Sequence, residues 1–193
     1  MKSLAIEAEF GSGGWEIGKL VAEKAEIPYY DGEHLRKEAE RQGVSLDLLK
    51  DYAEQKTESL LYNISLLTND YDGIYEVCER LQTIIKNLEL QGSAVFIGGC
   101  STDILRNPRT VRVYIYSSDE EKKRKRIVGT EPVSEETART LMRKKDRQRR
   151  EYFRFWTQKE WAERSNYDMD LDTGILSVEE CADILLCAME NKK

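Results

Sequence analysis

The residues with the clearest chemical potential form a glycine-rich turn near the beginning of the sequence. An apolar run at 4–8 leads into the turn, and apolar residues recur at helical spacing after it. Glycine lets the backbone curl and approach a ligand closely, and the start of a helix directs N–H groups and a positive dipole at one spot. We therefore predict a phosphate-binding turn. Its residues are Gly11, Ser12, Gly13, Gly14, Trp15 and Glu16.

This turn lacks two side chains of the common phosphate loop G-x-x-x-x-G-K-[ST]. That pattern adds a lysine for the β- and γ-phosphates and a hydroxyl for magnesium. Here Gly14 is followed by Trp15, Glu16 and Ile17, so both groups are missing. Two interpretations stay open, namely a phosphate site built mainly from backbone groups and Ser12, and a tight strand-to-helix turn without a ligand.

A second group that suits phosphate chemistry lies in a basic stretch at 139–154, inside a long helix that Ser134 is predicted to cap. Its candidate side chains are Arg147, Arg149 and Arg150. A planar guanidinium grips a phosphate through two parallel hydrogen bonds. The alternative is a solvated helix face, which is the usual role of a basic run. Aromatic residues at 152–161 favour a segment that is packed and partly covered.

The elements around these residues alternate between strand and helix. Strands are predicted near 4–8, 27–30, 93–97, 111–116 and 167–171; helices are predicted near 15–26, 33–42, 46–68, 74–91, 119–128 and 134–152, with a last helix from 177. Such alternation is typical of a single α/β domain with a mostly parallel sheet flanked by helices. Ligands in such folds lie beyond the carboxyl ends of the strands.

Asp31 stands at one of these carboxyl ends, directly after the second predicted strand. Its carboxylate could hydrogen-bond a base or a sugar, or order water around magnesium, so Asp31 is a candidate for acceptor binding. A turn-forming role before Gly32 explains the same residue without any ligand.

Composition limits the classes of partner and site. The chain has 193 residues, 40% hydrophobic and 34% charged, which suits one folded domain. Its 30 basic and 36 acidic residues give a net charge of −6, which argues against a nucleic-acid polymer or a membrane surface as partner. Its 4 cysteines lack C-x-x-C spacing and there is 1 histidine, so we predict no metal site and reduced thiols in the cytoplasm. No apolar run approaches the roughly 20 residues of a membrane helix.

Over essentially its whole length the sequence resembles the cytidylate kinase-like family, a branch of the P-loop nucleoside monophosphate kinases. The strings A-E-F-G-S-G-G-W-E-I-G at 8–18 and I-P-Y-Y-D at 27–31 are similar to the family's G-S-G-G-R-E-I-(G/A) and I-P-(F/Y)-Y-D. Further similarity lies at 96–100 and 111–116. It is strongest at 145–153, where K-D-R-Q-R-R-E-Y-F resembles the family's arginine-rich helix, and at Trp161 with S-N-Y-D at 165–168.

The resemblance implies a fold, a donor and a set of roles. The implied fold is a three-layer, P-loop NTPase-type α/β sandwich over 1–193 with a mostly parallel, five-stranded sheet. The implied phosphate donor is ATP with Mg²⁺, and the implied substrates are nucleotides. Residues 33–91 would form a helical acceptor-side insertion, and 134–163 a helical lid whose arginines cover the transferred phosphate. Among these arginines, Arg149 aligns best with the family arginine. The long helices also offer a surface for a homodimer.

Two departures from the family pattern remove positive charge from the expected phosphate region. Trp15 stands where the family has an arginine, and Gly99 stands where it has the arginine of its G-R motif. Three hypotheses follow. In the first, the protein transfers the γ-phosphate of ATP to a nucleoside monophosphate such as CMP or dCMP. In the second, it is a degenerate nucleotide- or phosphate-binding module or a kinase of another small molecule. In the third, it keeps only the fold and binds a partner.

Overall fold

The computed structural model describes residues 1–43 and 71–190. For residues 71–78 it describes the backbone but not the side chains. The helix predicted at 46–68 and part of the acceptor-side insertion therefore lie outside the described residues. Within the described part, the predicted strands form one parallel, five-stranded sheet in the order β2-β3-β1-β4-β5. The strands are β1 (Ser3–Ala8), β2 (Tyr29–Tyr30), β3 (Val95–Ile97), β4 (Thr110–Tyr116) and β5 (Met169–Asp172).

The helices follow the predicted pattern, with one short addition. They are α1 (Gly14–Ala25), α2 (Gly32–Arg41), α3 (Tyr71–Gln91), α4 (Ser101–Ile104), α5 (Glu120–Thr130), α6 (Glu135–Thr157) and α7 (Val178–Met189). Helix α4 was not predicted, because 4 residues carry no readable periodicity. Asp119, Ser134 and Ser177 cap α5, α6 and α7 through side-chain oxygens that accept backbone N–H groups, and the cap at Ser134 is the one predicted above.

Apolar residues on both faces of the central strands hold the helices against the sheet. Leu4 and Ile6 of β1 are fully buried among residues of α1, β4 and α7. A second cluster joins α2, α3 and β3 around Phe96, and a third, aromatic cluster around Trp161 lies under the C-terminal half of α6. This burial on both faces is typical of a parallel sheet between two helical layers and confirms the predicted α/β sandwich.

Along residues 1–43 and 71–190, no helix combines the length and the apolar character needed to cross a membrane.

Candidate functional site

The carboxyl ends of β1 and β3 open into a cleft of about 1000 Å³. The turn after β1 and the Gly98-Gly99 pair after β3 contribute its inner surface, while α2, α5 and α6 contribute side chains around it. The cleft therefore lies where a parallel α/β sheet places its ligands. Its volume is at the upper end of the usual range for small-molecule sites, about 300–1000 Å³.

The glycine turn is shaped by close backbone contacts. Gly13 stands at the N-cap of α1 with a φ of 88°, a backbone conformation that is unfavourable for any residue with a side chain. A Cβ atom on Gly14 would lie 2.3 Å from the Cβ atom of Ala8, so the first helical position has no room for a side chain. The N–H groups of the first turn of α1 have no partner within the helix, so they are candidate donors to an anion.

Ser12 lies inside the turn with no exposed surface. Its hydroxyl donates a hydrogen bond to the carbonyl oxygen of Glu9 over 2.7 Å, and its own carbonyl oxygen accepts one from the Thr173 hydroxyl, also over 2.7 Å. The structure thus places Ser12 where it stabilises the turn, with its donor directed at the chain.

Arg126 of α5 brings a positive charge to the turn that sequence reasoning did not assign to a single residue. Its Nη1 donates to the carbonyl oxygen of Gly11 over 2.9 Å, and its Nε lies 3.3 Å from Oε2 of Glu16. A Cβ atom on Gly13 would stand 3.0 Å from the Arg126 Cζ. The guanidinium therefore covers the turn. The available signal was the basic run at 122–126, but sequence alone does not say which of its members faces the cleft.

A partly buried ionic cluster ties α6 to the turn. Lys123 Nζ lies 2.8 Å from Oε2 of Glu9 and 3.6 Å from Oδ2 of Asp146. The other oxygen of Asp146 accepts the N–H of Phe10 over 2.6 Å. Burial raises the pKa of the Asp146 carboxyl, and the bond from Phe10 and the charge of Lys123 oppose that rise. These contacts hold the middle of α6 directly over the turn.

Of the three candidate arginines of α6, the structure brings Arg149 to the cleft. Its Nη1 donates to the carbonyl oxygen of Ala8 over 2.5 Å, and its guanidinium lies 5.7 Å from the centre of the Phe10 ring. Arg147 and Arg150 are exposed and do not line the cleft. Helical geometry explains the difference between Arg149 and Arg147, because Arg149 shares a face with Asp146 three residues earlier, whereas Arg147 lies on the far side from Arg149.

Asp31 and Trp15 meet where α2 borders the cleft. Asp31 Oδ2 accepts hydrogen bonds from Trp15 Nε1 at 3.2 Å and from the Tyr29 hydroxyl at 3.0 Å. Its Oδ1 accepts the N–H groups of Glu33 and His34, each at 3.0 Å, and contacts the His34 ring at 2.8 Å. Burial alone would raise the pKa of Asp31, but the bonds from His34, Trp15 and Tyr29 lower it to about 2. Asp31 is thus an ionised N-cap of α2.

Glu7 is the functional candidate that sequence reasoning missed, because it reads as an ordinary strand residue. Its side chain is 6% exposed and lines the cleft at the carboxyl end of β1. Oε2 accepts the indole N–H of Trp161 over 3.1 Å, while Oε1 is buried without a hydrogen-bond partner among the described residues. Burial raises the pKa of Glu7 to about 7, against the opposing effects of Trp161, Arg149 and the Cys100 N–H.

A smaller cavity of about 160 Å³ adjoins the cleft beneath the C-terminal half of α6. Apolar side chains of α2, α3 and α4 line it together with Trp156, and Arg36, Lys86 and Asp103 add charge. Gly32, Arg36, Gly99 and Tyr152 line both cavities. The two spaces are therefore neighbours, and we call the region of shared residues the junction.

The acidic residues suit a metal that arrives with a nucleotide. Across the described part of the chain, no group of three or more acidic, histidine or cysteine side chains could hold a metal ion. Mg²⁺ bound to ATP takes most of its ligands from phosphates and water and needs only one or two carboxylates. Glu9 and Glu16 are the carboxylates next to the turn that could serve.

Fold and cleft together define an α/β protein with a kinase-like fold. The model of the cytidylate kinase-like family matches residues 3–175, so the chain belongs to that family and the expected resemblance is confirmed. Among curated proteins, none matches the chain significantly in sequence.

Solved structures agree with this assignment. An uncharacterized protein from Eubacterium ventriosum is similar over 100% of both chains, with 26% identity and a TM-score of 0.75. A shikimate kinase from Acinetobacter baumannii in complex with shikimate covers 100% of this chain and 95% of its own, with 15% identity and a TM-score of 0.51. A shikimate kinase from Bacteroides thetaiotaomicron covers 97% and 98%, with 12% identity and a TM-score of 0.53. At these identities, the two kinases share the fold alone with this chain.

Proposed function

We propose that the protein transfers the γ-phosphoryl group of ATP to a small acceptor that binds in the 160 Å³ cavity. The observation that carries this proposal is the junction. The large cleft holds the glycine turn, Arg126 and Arg149, and it opens through shared residues onto a separate cavity. A phosphoryl transferase needs this arrangement of two adjoining sites, since donor and acceptor must meet in line.

The roles of the residues follow from charge and position. Phosphoryl transfer needs positioning and neutralisation of the phosphate oxygens more than covalent help from the protein. The turn and the first N–H groups of α1 bind the phosphates, and Arg126 replaces the lysine that the turn lacks. Arg149 reaches the transferred group from the lid. Mg²⁺, carried by ATP, supplies further neutralisation of charge when bound.

Two acceptor classes are candidates. The family resemblance makes CMP or dCMP the first acceptor to test. A different small molecule is favoured by the size of the cavity, which is about half the lower limit of typical small-molecule sites. Gly99 favours the same alternative, because it leaves the junction without the arginine of the family pattern.

Titration calorimetry with ATP, with and without Mg²⁺, followed by measurement of ADP release, tests the proposal. We expect saturable binding of ATP and acceptor-dependent release of ADP. Binding without release with any acceptor would indicate a degenerate nucleotide-binding module. No binding of ATP would contradict the proposal and leave the third hypothesis, a fold retained for binding a partner.

A pair of variants on α5 makes the binding test specific. Arg126→Ala is expected to raise the Kd for ATP about tenfold or more, because a charge-assisted hydrogen bond contributes about 1.5–3 kcal/mol. Lys125→Ala is the control, since the Lys125 side chain is 68% exposed and pairs with Glu121 on the same helix. Equal losses in the two variants would mean that Arg126 has no direct role.

The proposal includes a cytoplasmic location, which is supported by Cys100, Cys181 and Cys187, since none of these three thiols is in a disulfide. Self-association into a homodimer through the long helices stays an expectation, and light scattering after size-exclusion chromatography tests it.

A further inference from the structure

The junction between the two cavities lies next to a buried carboxyl group, that of Glu7. Glu7 lies on the sheet side of the junction, because two backbone groups of the turn after β3 bond to this end of β1. The N–H of Gly98 donates to the carbonyl oxygen of Ile6 over 2.8 Å, and the N–H of Cys100 donates to the Glu7 carboxyl. Between them, Gly99 offers no side chain. The charged side chains here are therefore the Glu7 carboxyl and Arg36, which lines both cavities, and Arg149 also faces Glu7.

Glu7 also has an unused hydrogen-bonding atom, which native interiors rarely leave without a reason. Oε1 is buried without a partner among the described residues, and so are Ser101 Oγ, Thr102 Oγ1 and Trp156 Nε1. Trp156 lines the smaller cavity, and the two hydroxyls directly follow Cys100, which lines it as well. The indole N–H of Trp156 is therefore an unpaired donor at the smaller cavity, and a ligand with hydroxyl groups would complement it.

The two acceptor classes make opposite demands on this position. The attacking oxygen of a monophosphate is already anionic at neutral pH, so it needs no base and is repelled by a carboxylate. A hydroxyl group must lose its proton as it attacks, and a carboxylate within hydrogen-bond reach can accept that proton. Asp31 is poorly suited to this task, because five contacts already engage its two oxygens.

We propose that the acceptor is a small, uncharged compound with a hydroxyl nucleophile, of the sugar or polyol class, and that Glu7 Oε1 accepts the proton of that hydroxyl. In this step the O–H bond breaks and its proton passes to Glu7, while the oxygen forms a bond to the γ-phosphorus. The bond from that phosphorus to the β–γ bridging oxygen breaks, and ADP leaves with the electron pair. Glu7 then releases the proton to solvent. This inference rests on the proposed transfer from ATP.

The surroundings of Glu7 agree with a base that works near neutral pH. The groups that face it are Trp161, the Cys100 N–H, Arg149 of α6, and the hydroxyls of Tyr114 and Tyr167. Burial raises the pKa values of both tyrosines, so they stay neutral. Because the pKa of Glu7 is about 7, a large fraction of the protein carries the ionised form at physiological pH.

The test compares Glu7→Gln with Glu89→Gln. Glutamine keeps the shape and the oxygen that accepts the Trp161 N–H, but it cannot take a proton. Glu89 is a matched control because it is also 6% exposed, yet it pairs with Arg109 over 2.9 Å at the opposite end of the sheet. Release of ADP is measured with a panel of monosaccharides and polyols, with CMP and dCMP, and with water as the acceptor.

We expect ADP release with at least one hydroxyl compound, and a loss of about 10²- to 10⁴-fold in kcat for Glu7→Gln, as for removal of a general base. Glu89→Gln should stay within about threefold. The wild-type kcat should rise with pH and level off above about 7, in line with the pKa of Glu7. The wild-type pH profile tests the idea even if the Gln variant folds poorly.

The outcomes separate this inference from the proposed function. Phosphorylation of CMP or dCMP but of no hydroxyl compound overturns the inference and leaves the proposed function standing. A Glu7→Gln variant with wild-type kcat would likewise overturn the inference alone. A wild-type pH profile of kcat without an ionisation near pH 7 would do the same. Absence of ADP release under every condition overturns both.

Discussion

The indole Nε1 of Trp15 donates a hydrogen bond to Oδ2 of Asp31 over 3.2 Å, which joins the first turn of α1 to the start of α2. The Tyr29 ring packs edge-on against Trp15, with ring centres 6.2 Å apart, and its hydroxyl reaches the same carboxylate. The residue at the family's arginine position therefore connects the glycine turn to the start of α2.

The first prediction concerns Asp31. Asp31→Ala removes the N-cap of α2 and should lower the free energy of unfolding by about 1–2 kcal/mol, whereas Asp31→Asn should cost less because asparagine also caps helices. Urea unfolding at pH 7 measures both. An alanine variant as stable as the wild type would contradict the capping role.

The pKa of Asp31 gives this prediction a pH dependence. Its folded-state value of about 2 lies below the ordinary value of 3.8. The ionised form is therefore favoured by folding, so the contribution is fully present above about pH 4 and is lost as the pH falls through 2. The difference in stability between wild type and Asp31→Asn should shrink over that range.

A second prediction follows from the opposite shift at Glu7. Its pKa rises from 4.5 to about 7, so the folded protein holds a proton that the unfolded chain releases. The contribution of Glu7 to stability is therefore largest below pH 4.5 and falls as the pH rises towards 7. Unfolding curves of wild type and Glu7→Gln should diverge by up to about 3 kcal/mol over this interval, in favour of the variant. A constant difference between pH 4.5 and 8 would mean that Glu7 titrates normally.

The sequence predicted the elements of this fold well because their signals are local. Asp119, Ser134 and Ser177 mark the beginnings of three helices by the hydrogen bonds that they accept within a few residues. The strand–turn–helix unit around Gly13 is likewise visible in residue types alone. The whole-chain resemblance then placed these elements in one parallel sheet.

The site was less predictable because its contacts are distant in sequence. Arg126 bonds to a carbonyl group 115 residues away, and Glu7 to an indole 154 residues away. No spacing rule connects such partners. For the arginines of α6, the sequence identified the segment, but only the packing of the helix selected Arg149 over Arg147 for the cleft.

The third prediction concerns Gly99, which has no side chain at the position of the family's arginine. Gly99→Arg places a cation beside Glu7, which should lower the pKa of that carboxyl, reduce turnover with hydroxyl acceptors and improve the binding of CMP. The backbone φ of Gly99 is 65°, so any side chain there costs about 1–2 kcal/mol of stability. Gly99→Asn is the matched control, because asparagine tolerates this conformation and carries no charge. CMP affinity measured by calorimetry should rise in the arginine variant alone, and equal affinities would contradict the assignment of an acceptor site at the junction.

The last prediction ranks the arginines of α6 by their effect on turnover. Arg149 contacts the turn directly, and removing one positioned donor from a phosphoryl-transfer site typically costs about 10²- to 10³-fold in kcat. Arg149→Ala should show a loss of that size and Arg149→Lys a smaller one, since lysine keeps the charge but not the two-pronged geometry. Arg147→Ala and Arg150→Ala should cost much less, because neither side chain lines the cleft.

Arg154→Ala is the control on the same helix, with a side chain that is 70% exposed and pairs with Glu160. Steady-state kinetics with ATP measure all five variants, and a loss at Arg147 as large as that at Arg149 would mean that α6 rotates on binding ATP and presents another face to the phosphates.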